Sequence, residues 1–222
     1  MTAKRIAFAI TLLLALTTTG LNQETGRSFS SANGLPDESE PYYFHFEFLV
    51  EGDRYKLTAA GRGSIESPNG KRRFFDLHLA PGDRLNRPTL YYIVYKEDLV
   101  LLSDIGDVEY GGGFIARLNR QTLNLKWKNS LAGFNVGNGL IHEGYAYVTS
   151  IGFIGKIDIE SGKYAWRHGD LYRRHNKAFN SFDLPEIVGE AVVFRETPDP
   201  YRTKIAVITI DRKTGRILKI DT

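Results

Sequence analysis

The chain has no cysteine. That excludes disulfides, thiolate metal sites and a lipid-modified cysteine behind a leader, so packing and hydrogen bonds alone must hold the fold. It also has no apolar stretch near the roughly 20 residues that a membrane-spanning helix needs; the longest run, residues 6–16, is about half of that. A charge excess of one sign is missing as well. Of 29 basic residues, Lys4 and Arg5 lie in the first twenty positions, and the 27 that remain face 26 acidic ones, leaving +1. Near-balanced charge gives no basis for steering toward nucleic acid or anionic lipid, so no nucleic-acid partner is expected. Finally, no segment shows a 3.6-residue apolar period, which excludes an architecture built on amphipathic helices.

At the N-terminus, Lys4 and Arg5 precede the apolar run, and Thr17-Thr18-Thr19-Gly20 follows it. Basic, apolar and small-residue regions in that order predict a signal peptide over residues 1–20, cut near Gly20. A periplasmic or secreted protein is expected, with no membrane insertion after cleavage. Residues 21–41 are rich in Asn, Ser, Gly, Glu and Pro and predict a flexible leader. The folded domain is expected over residues 42–222.

From Tyr42 onward the apolar segments are short, β-branched or aromatic, and punctuated by Gly, Asn or Asp, which predicts an all-β chain. Aromatic hairpins are expected around Glu51-Gly52-Asp53 and Pro68-Asn69-Gly70. Beyond them the sequence repeats itself. Phe114-Ile115-Ala116-Arg117-Leu118-Asn119 returns as Phe153-Ile154-Gly155-Lys156-Ile157-Asp158, and Trp127 returns as Trp166; both offsets are 39 residues. A period of about 40 residues made of short alternating strands marks β-propeller blades, which must stack to bury their faces. Turns of one design close the repeats: Asn119 to Thr122, Asp158 to Gly162, and Asp211 to Gly215. In each, Asn or Asp can accept from the backbone two residues on, and in the last two Gly supplies a positive φ.

These repeats resemble those of the quinoprotein-like (pyrroloquinoline-quinone-type) β-propellers, whose consensus runs Ala-x-Asp-x-x-Thr-Gly-x-x-x-Trp. The best copy is residues 157–166, with Asp158, Gly162 and Trp166. The first copy keeps Trp127 but has Asn119 for Asp and Leu123 for Gly; the last keeps Asp211 and Gly215 but has Lys219 in the Trp position. The resemblance covers residues 90–222 and implies that Trp127 and Trp166 dock between adjacent blades. About 180 residues at 40–45 per blade predict a small or incomplete propeller of about four blades, each an antiparallel four-stranded sheet. Asp158 and Asp211 lie 53 residues apart, so 14 extra residues are expected in the 173–183 loop or around Thr197-Pro198-Asp199-Pro200.

Few residues suggest chemistry. Asp104, Asp107 and Glu109, before three glycines, are a weak candidate for Ca²⁺, because the spacing fits no standard loop and a solvated turn explains it equally well. No two of the five histidines have a metal-ligand spacing. No catalytic set is assembled and no cofactor is expected. The strongest partner-binding candidate is the 173–183 loop, where the basic Arg173, Arg174 and Lys177 precede Phe179 and Phe182; the two rings either plug the core or anchor a partner. The resulting expectation is an exported, non-enzymatic, protein-binding propeller, either an immunity-type inhibitor or an envelope scaffold. The contrasting one is a quinone- or ligand-dependent enzyme formed when half-propellers associate, in which a homodimer completes the ring.

Overall fold

The computed structural model describes residues 26–36, 38–39, 43–106, 111–169, 171, 179–198 and 204–222. After two N-terminal strands, β1 (Arg27–Ser28) and β2 (Ser30–Pro36), four antiparallel sheets follow in chain order. Blade 1 is β3 (Phe44–Val50), β4 (Asp53–Leu57), β5 (Arg62–Glu66) and β6 (Arg72–Asp76). A short β7 (Arg84–Leu85) leads to blade 2, made of β8 (Thr89–Tyr95), β9 (Asp98–Gly106), β10 (Gly111–Asn119) and β11 (Leu125–Leu131). Blade 3 is β12 (Leu140–His142), β13 (Tyr145–Ser150), β14 (Phe153–Asp158) and β15 (Tyr164–His168). Blade 4 is β16 (Glu186–Val188), β17 (Ala191–Arg195), β18 (Val207–Asp211) and β19 (Ile217–Asp221). The aromatic hairpins of residues 43–79 are therefore a full blade. This is a four-bladed, all-β propeller.

Each blade alternates, so each has two faces to cover. Three apolar cores do so, and each lies between consecutive blades. Phe46, Tyr55, Leu57 and Ile65 of blade 1 meet Leu90, Leu99, Leu101 and Phe114 of blade 2. Val100, Leu102 and Ile115 of blade 2 meet Ala146, Val148 and Ile157 of blade 3. Tyr147, Ile154 and Trp166 of blade 3 meet Val192, Phe194, Ile208 and Ile210 of blade 4.

A polar joint repeats at every junction. The turn between the third and fourth strands is wound on its Asx side chain: Asp158 Oδ1 accepts from Ser161 N at 2.7 Å and Asp211 Oδ1 from Thr214 N at 2.7 Å. In blade 2 Asn119 Oδ1 accepts from Thr122 N, also at 2.7 Å. This winding aims the next carbonyl at the preceding blade. Trp127 Nε1 and Arg117 Nη1 both donate to Ile159 O, at 3.0 and 2.7 Å. One blade on, Trp166 Nε1 and Lys156 Nζ both donate to Arg212 O, at 3.0 and 2.8 Å. The indole rings lie on Gly162 and Gly215, where any Cβ would meet the ring at 2.7 and 2.5 Å. Those glycines have φ of 72° and 75°; Leu123 holds the same left-handed conformation at 62° in the blade 2 turn, which no Trp covers. There Arg73 of blade 1 stands in for the indole and donates to Arg120 O at 3.2 Å.

Residues 26–36 are not the solvated leader that their composition predicts. β1 pairs with β12 of blade 3, then β2 pairs with β8 of blade 2 and with β3 of blade 1. Ten residues thus strap together the first strands of three blades, and β2 joins blades 1 and 2 into one continuous sheet path. Composition misleads here because the strap binds edge-on through its backbone. Of its side chains only Phe29 and Ala32 are buried, and the rest face water.

No core cluster and no strand pairing among the described residues joins blade 4 to blade 1. Among the described residues the two end blades are not joined, and their outward faces set ion pairs beside exposed apolar side chains, Leu49 and Phe74 on blade 1 and Val188 on blade 4. On blade 1, Glu47 pairs with Arg54 and Lys56, and Glu66 with Arg72. On blade 4, Glu186 pairs with Arg195 and Lys219 with Asp221.

Candidate functional site

Antiparallel connectivity sorts the connections onto two rims. One rim carries the turns between first and second and between third and fourth strands, and these are tied together in each of the last three blades: Arg120 N to Glu97 O, Ile159 N to Gly144 O, and Arg212 N to Glu190 O. The opposite rim carries the connections between blades and between second and third strands. It is irregular, and loops of this kind are where function concentrates.

The 14 extra residues of the last repeat divide equally between two loops of this rim. Trp127 is 13 residues from Leu140, whereas the corresponding Trp166 is 20 from Glu186. Tyr147 and Lys156 pair across the first of these repeats at a separation of 9, Val193 and Thr209 across the second at 16. Each loop gained seven residues.

The two long loops share one root. Glu196, 1% exposed, accepts from Asn180 N at 2.5 Å and from Ala206 N at 2.8 Å, so one buried carboxylate clamps a residue of each. Phe179 and Phe182 lie 2% and 1% exposed beneath it, stacked at 6.2 Å, with Phe182 edge-on to Phe194. Of the two roles open to these rings, the structure places them in the core, so a surface anchor built on Phe179 and Phe182 is corrected here. The reason is local: the end of the loop that enters blade 4 packs both rings into the core that blades 3 and 4 share. Leu171, fully buried, plugs the same cluster. Arg173, Arg174 and Lys177 lie outside the described residues. Sequence reasoning missed Glu196, since a lone carboxylate at a strand end gives no pattern to find.

A second root ties the connection between blades 2 and 3 to blade 2. Asp104, 3% exposed, accepts from Val136 N at 3.1 Å and pairs with Arg87 at 3.3 Å. Burial raises its pKa to about 6 against the pull of these partners. Arg87 in turn lies over the half-exposed ring of Phe134 at 5.7 Å. Asp104 is thus an internal clamp; Asp107 and Glu109 lie outside the described residues. Among the described residues no group of three or more His, Asp or Glu could hold a metal ion.

The buried cations belong to the blade joints. Arg117 bonds Asp98 at 2.5 Å and Glu160 at 2.7 Å, with Arg117 and Asp98 both inside the protein. Burial opposes the charge on Asp98, but Lys126, Arg117 and Asn119 outweigh it and lower its pKa. Glu160 is held down to about 2 by Lys96 and Arg117. Among the described residues Lys156 has no carboxylate partner; burial and the nearby Arg212 lower its pKa, and its Nζ sits 3.9 Å over the Tyr145 ring.

No protein-family model matches the chain, nor does any curated protein. Solved structures do resemble it. A europium-containing methanol dehydrogenase superposes with a TM-score of 0.50 at 11% identity, over 79% of this chain and 40% of that one. A quinohemoprotein alcohol dehydrogenase from Pseudomonas putida HK5 does so with a TM-score of 0.52 at 12% identity, over 82% of this chain and 34% of that one. BamB from Moraxella catarrhalis aligns over 89% of this chain and 79% of that one at 12% identity, with a TM-score of 0.38, too loose to argue from. The chain spans less than half the length of the two dehydrogenases. At these identities the likeness is one of fold, the quinoprotein-like β-propeller.

A bound quinone carrying several carboxylates would need cations free to meet it and open space beside the inner strands. Here Arg117 and Lys156 are spent on neighbouring blades, both indoles lie against turn glycines, and the strap lines the first strands of blades 1 to 3. Neither Arg117 nor Lys156 is therefore free to meet such a group.

Proposed function

We propose that this is an exported, non-catalytic protein that works by holding another protein on its long-loop rim. The observation that carries this reading is the pair of seven-residue insertions, which lengthen two loops of one rim and root both on Glu196. A buried clamp at the bases of two lengthened loops fixes where both leave the blades and so keeps them on one side of the molecule. The first of these loops carries Arg173, Arg174 and Lys177, a basic rim suited to an acidic partner surface.

The test is capture of a protein partner from extracts of the native cells by the immobilised protein, with the partner identified and its affinity measured. Arg173→Ser/Arg174→Ser/Lys177→Ser is expected to lose capture while keeping its melting temperature. Unchanged affinity in the folded triple variant would move the site elsewhere. Failure of the wild-type protein to capture anything would overturn the reading.

A further inference from the structure

The first strand of each blade has one edge turned away from its own sheet. In blades 1, 2 and 3 that edge is taken by the strap. In blade 4, β16 pairs only with β17 among the described residues. The registers show that these are equivalent edges: Leu140 pairs with Tyr147 and Glu186 with Val193, and Tyr147 and Val193 face Lys156 and Thr209 two positions before the turn residues Asp158 and Asp211. Arg27 and Ser28 lie on Ile141 and Leu140, so the same docking on blade 4 would fall on Ile187 and Glu186.

An edge strand offers unpaired N–H and C=O groups that template another strand. We propose that β16 takes an extended, basic segment of the partner protein as an added antiparallel strand, continuing the row of edge pairings that the strap makes on blades 1 to 3. The chemistry of the segment follows from residues 183–190, which hold Asp183, Glu186 and Glu190 and no basic residue. Exposed Leu184 and Val188 flank Glu186 at the strand period of two. A matching strand has Lys or Arg opposite Glu186 and apolar residues two positions to either side. The ion pair of Glu186 with Arg195 is exposed at both ends and easily exchanged. This inference rests on the protein-binding reading above and names one contact within it.

The probe is a synthetic peptide of strap residues 26–36 carrying Gly26→Val, Ser28→Lys and Ser30→Val, which sets a lysine opposite Glu186 and apolar residues opposite Val188 and Leu184. Added to the purified protein, it is expected to bind and to slow hydrogen exchange at Glu186, Ile187 and Val188. Glu186→Lys should weaken it at least about tenfold with the melting temperature unchanged, and Arg173→Ser/Arg174→Ser/Lys177→Ser should leave it unaffected. The proposal is overturned by no peptide binding, by binding that ignores Glu186→Lys, by protection that appears on β12 instead, or by slow exchange at residues 186–188 before any peptide is added, which would mean that the chain covers this edge itself. A Glu186→Lys protein that captures the partner normally sinks this contact and leaves the protein-binding reading standing. A wild-type protein that binds the peptide and captures no partner sinks that reading, while β16 remains a strand-accepting edge.

Discussion

Blades 3 and 4 present the same face of the same repeat, one to a neighbour and the other to water. Blade 3 fills it with Leu140, Tyr145, Tyr147, Thr149, Lys156 and Trp166; at the equivalent positions blade 4 has Glu186, Ala191, Val193, Arg195, Thr209 and Lys219. Large rings become small or charged, and the two donors that reach the next turn are lost. The outward face of blade 4 thus lacks the ring and the cation that dock blade 3 on its neighbour, and the sequence shows this in Lys219, which replaces the Trp.

The largest expected contrast is between the paired positions themselves. Trp166→Ala removes a buried ring and a bond to Arg212 O and should cost about 4 kcal/mol in a denaturant titration, while Lys219→Ala should cost less than about 0.5. Equal losses would dissolve the distinction between the two faces. Next, Arg117→Met leaves Asp98 buried with Lys126 as its one remaining cation and Asn119 as its other donor, and should cost about 3 kcal/mol. Lys156→Met abandons no carboxylate and should cost about 1, so a reversal of that order would mean that the joint depends on packing and not on its charges.

A smaller effect tests the loop end of the junction between blades 2 and 3. Folding raises the pKa of Asp104 from about 3.9 to about 6 through burial. The folded state binds its proton more tightly, so the group costs stability above pH 6, and that cost disappears as pH falls toward 4. Asp104→Asn should raise stability by about 1–2 kcal/mol at pH 8 and leave it unchanged at pH 4; a loss at both would show that the Arg87 pair outweighs burial. Smallest is the turn. The backbone N–H of Ser161 and then its hydroxyl lower the pKa of Asp158, so its contribution is present above pH 4 and is lost as pH falls below that value. Asp158→Ala should cost about 1 kcal/mol at pH 7 and nothing at pH 2.

The middle of the molecule was legible because its physical problem recurs. Two junctions need an indole, a cation and a wound turn, so the sequence repeats them at a fixed offset. Blade 1 was legible only as hairpins, since Arg73 does the work of the Trp and leaves no motif. The insertion was located to two loops by spacing, but not its equal division. Phe179 and Phe182 read equally well as plug or anchor, because sequence shows that a ring is apolar and not which way its loop folds.

By itself, then, the sequence determined what depends on neighbours along the chain: strands from alternation, turns from Asx and Gly, the number of blades from the period, the absence of disulfides from composition. Only the tertiary structure decided that residues 26–36 strap three blades, that Phe179 and Phe182 fill the core, and that Glu196 holds the bases of two loops. Each of these joins residues distant in sequence through backbone edges or single buried groups. Such contacts demand no periodic pattern, so they leave none to be read.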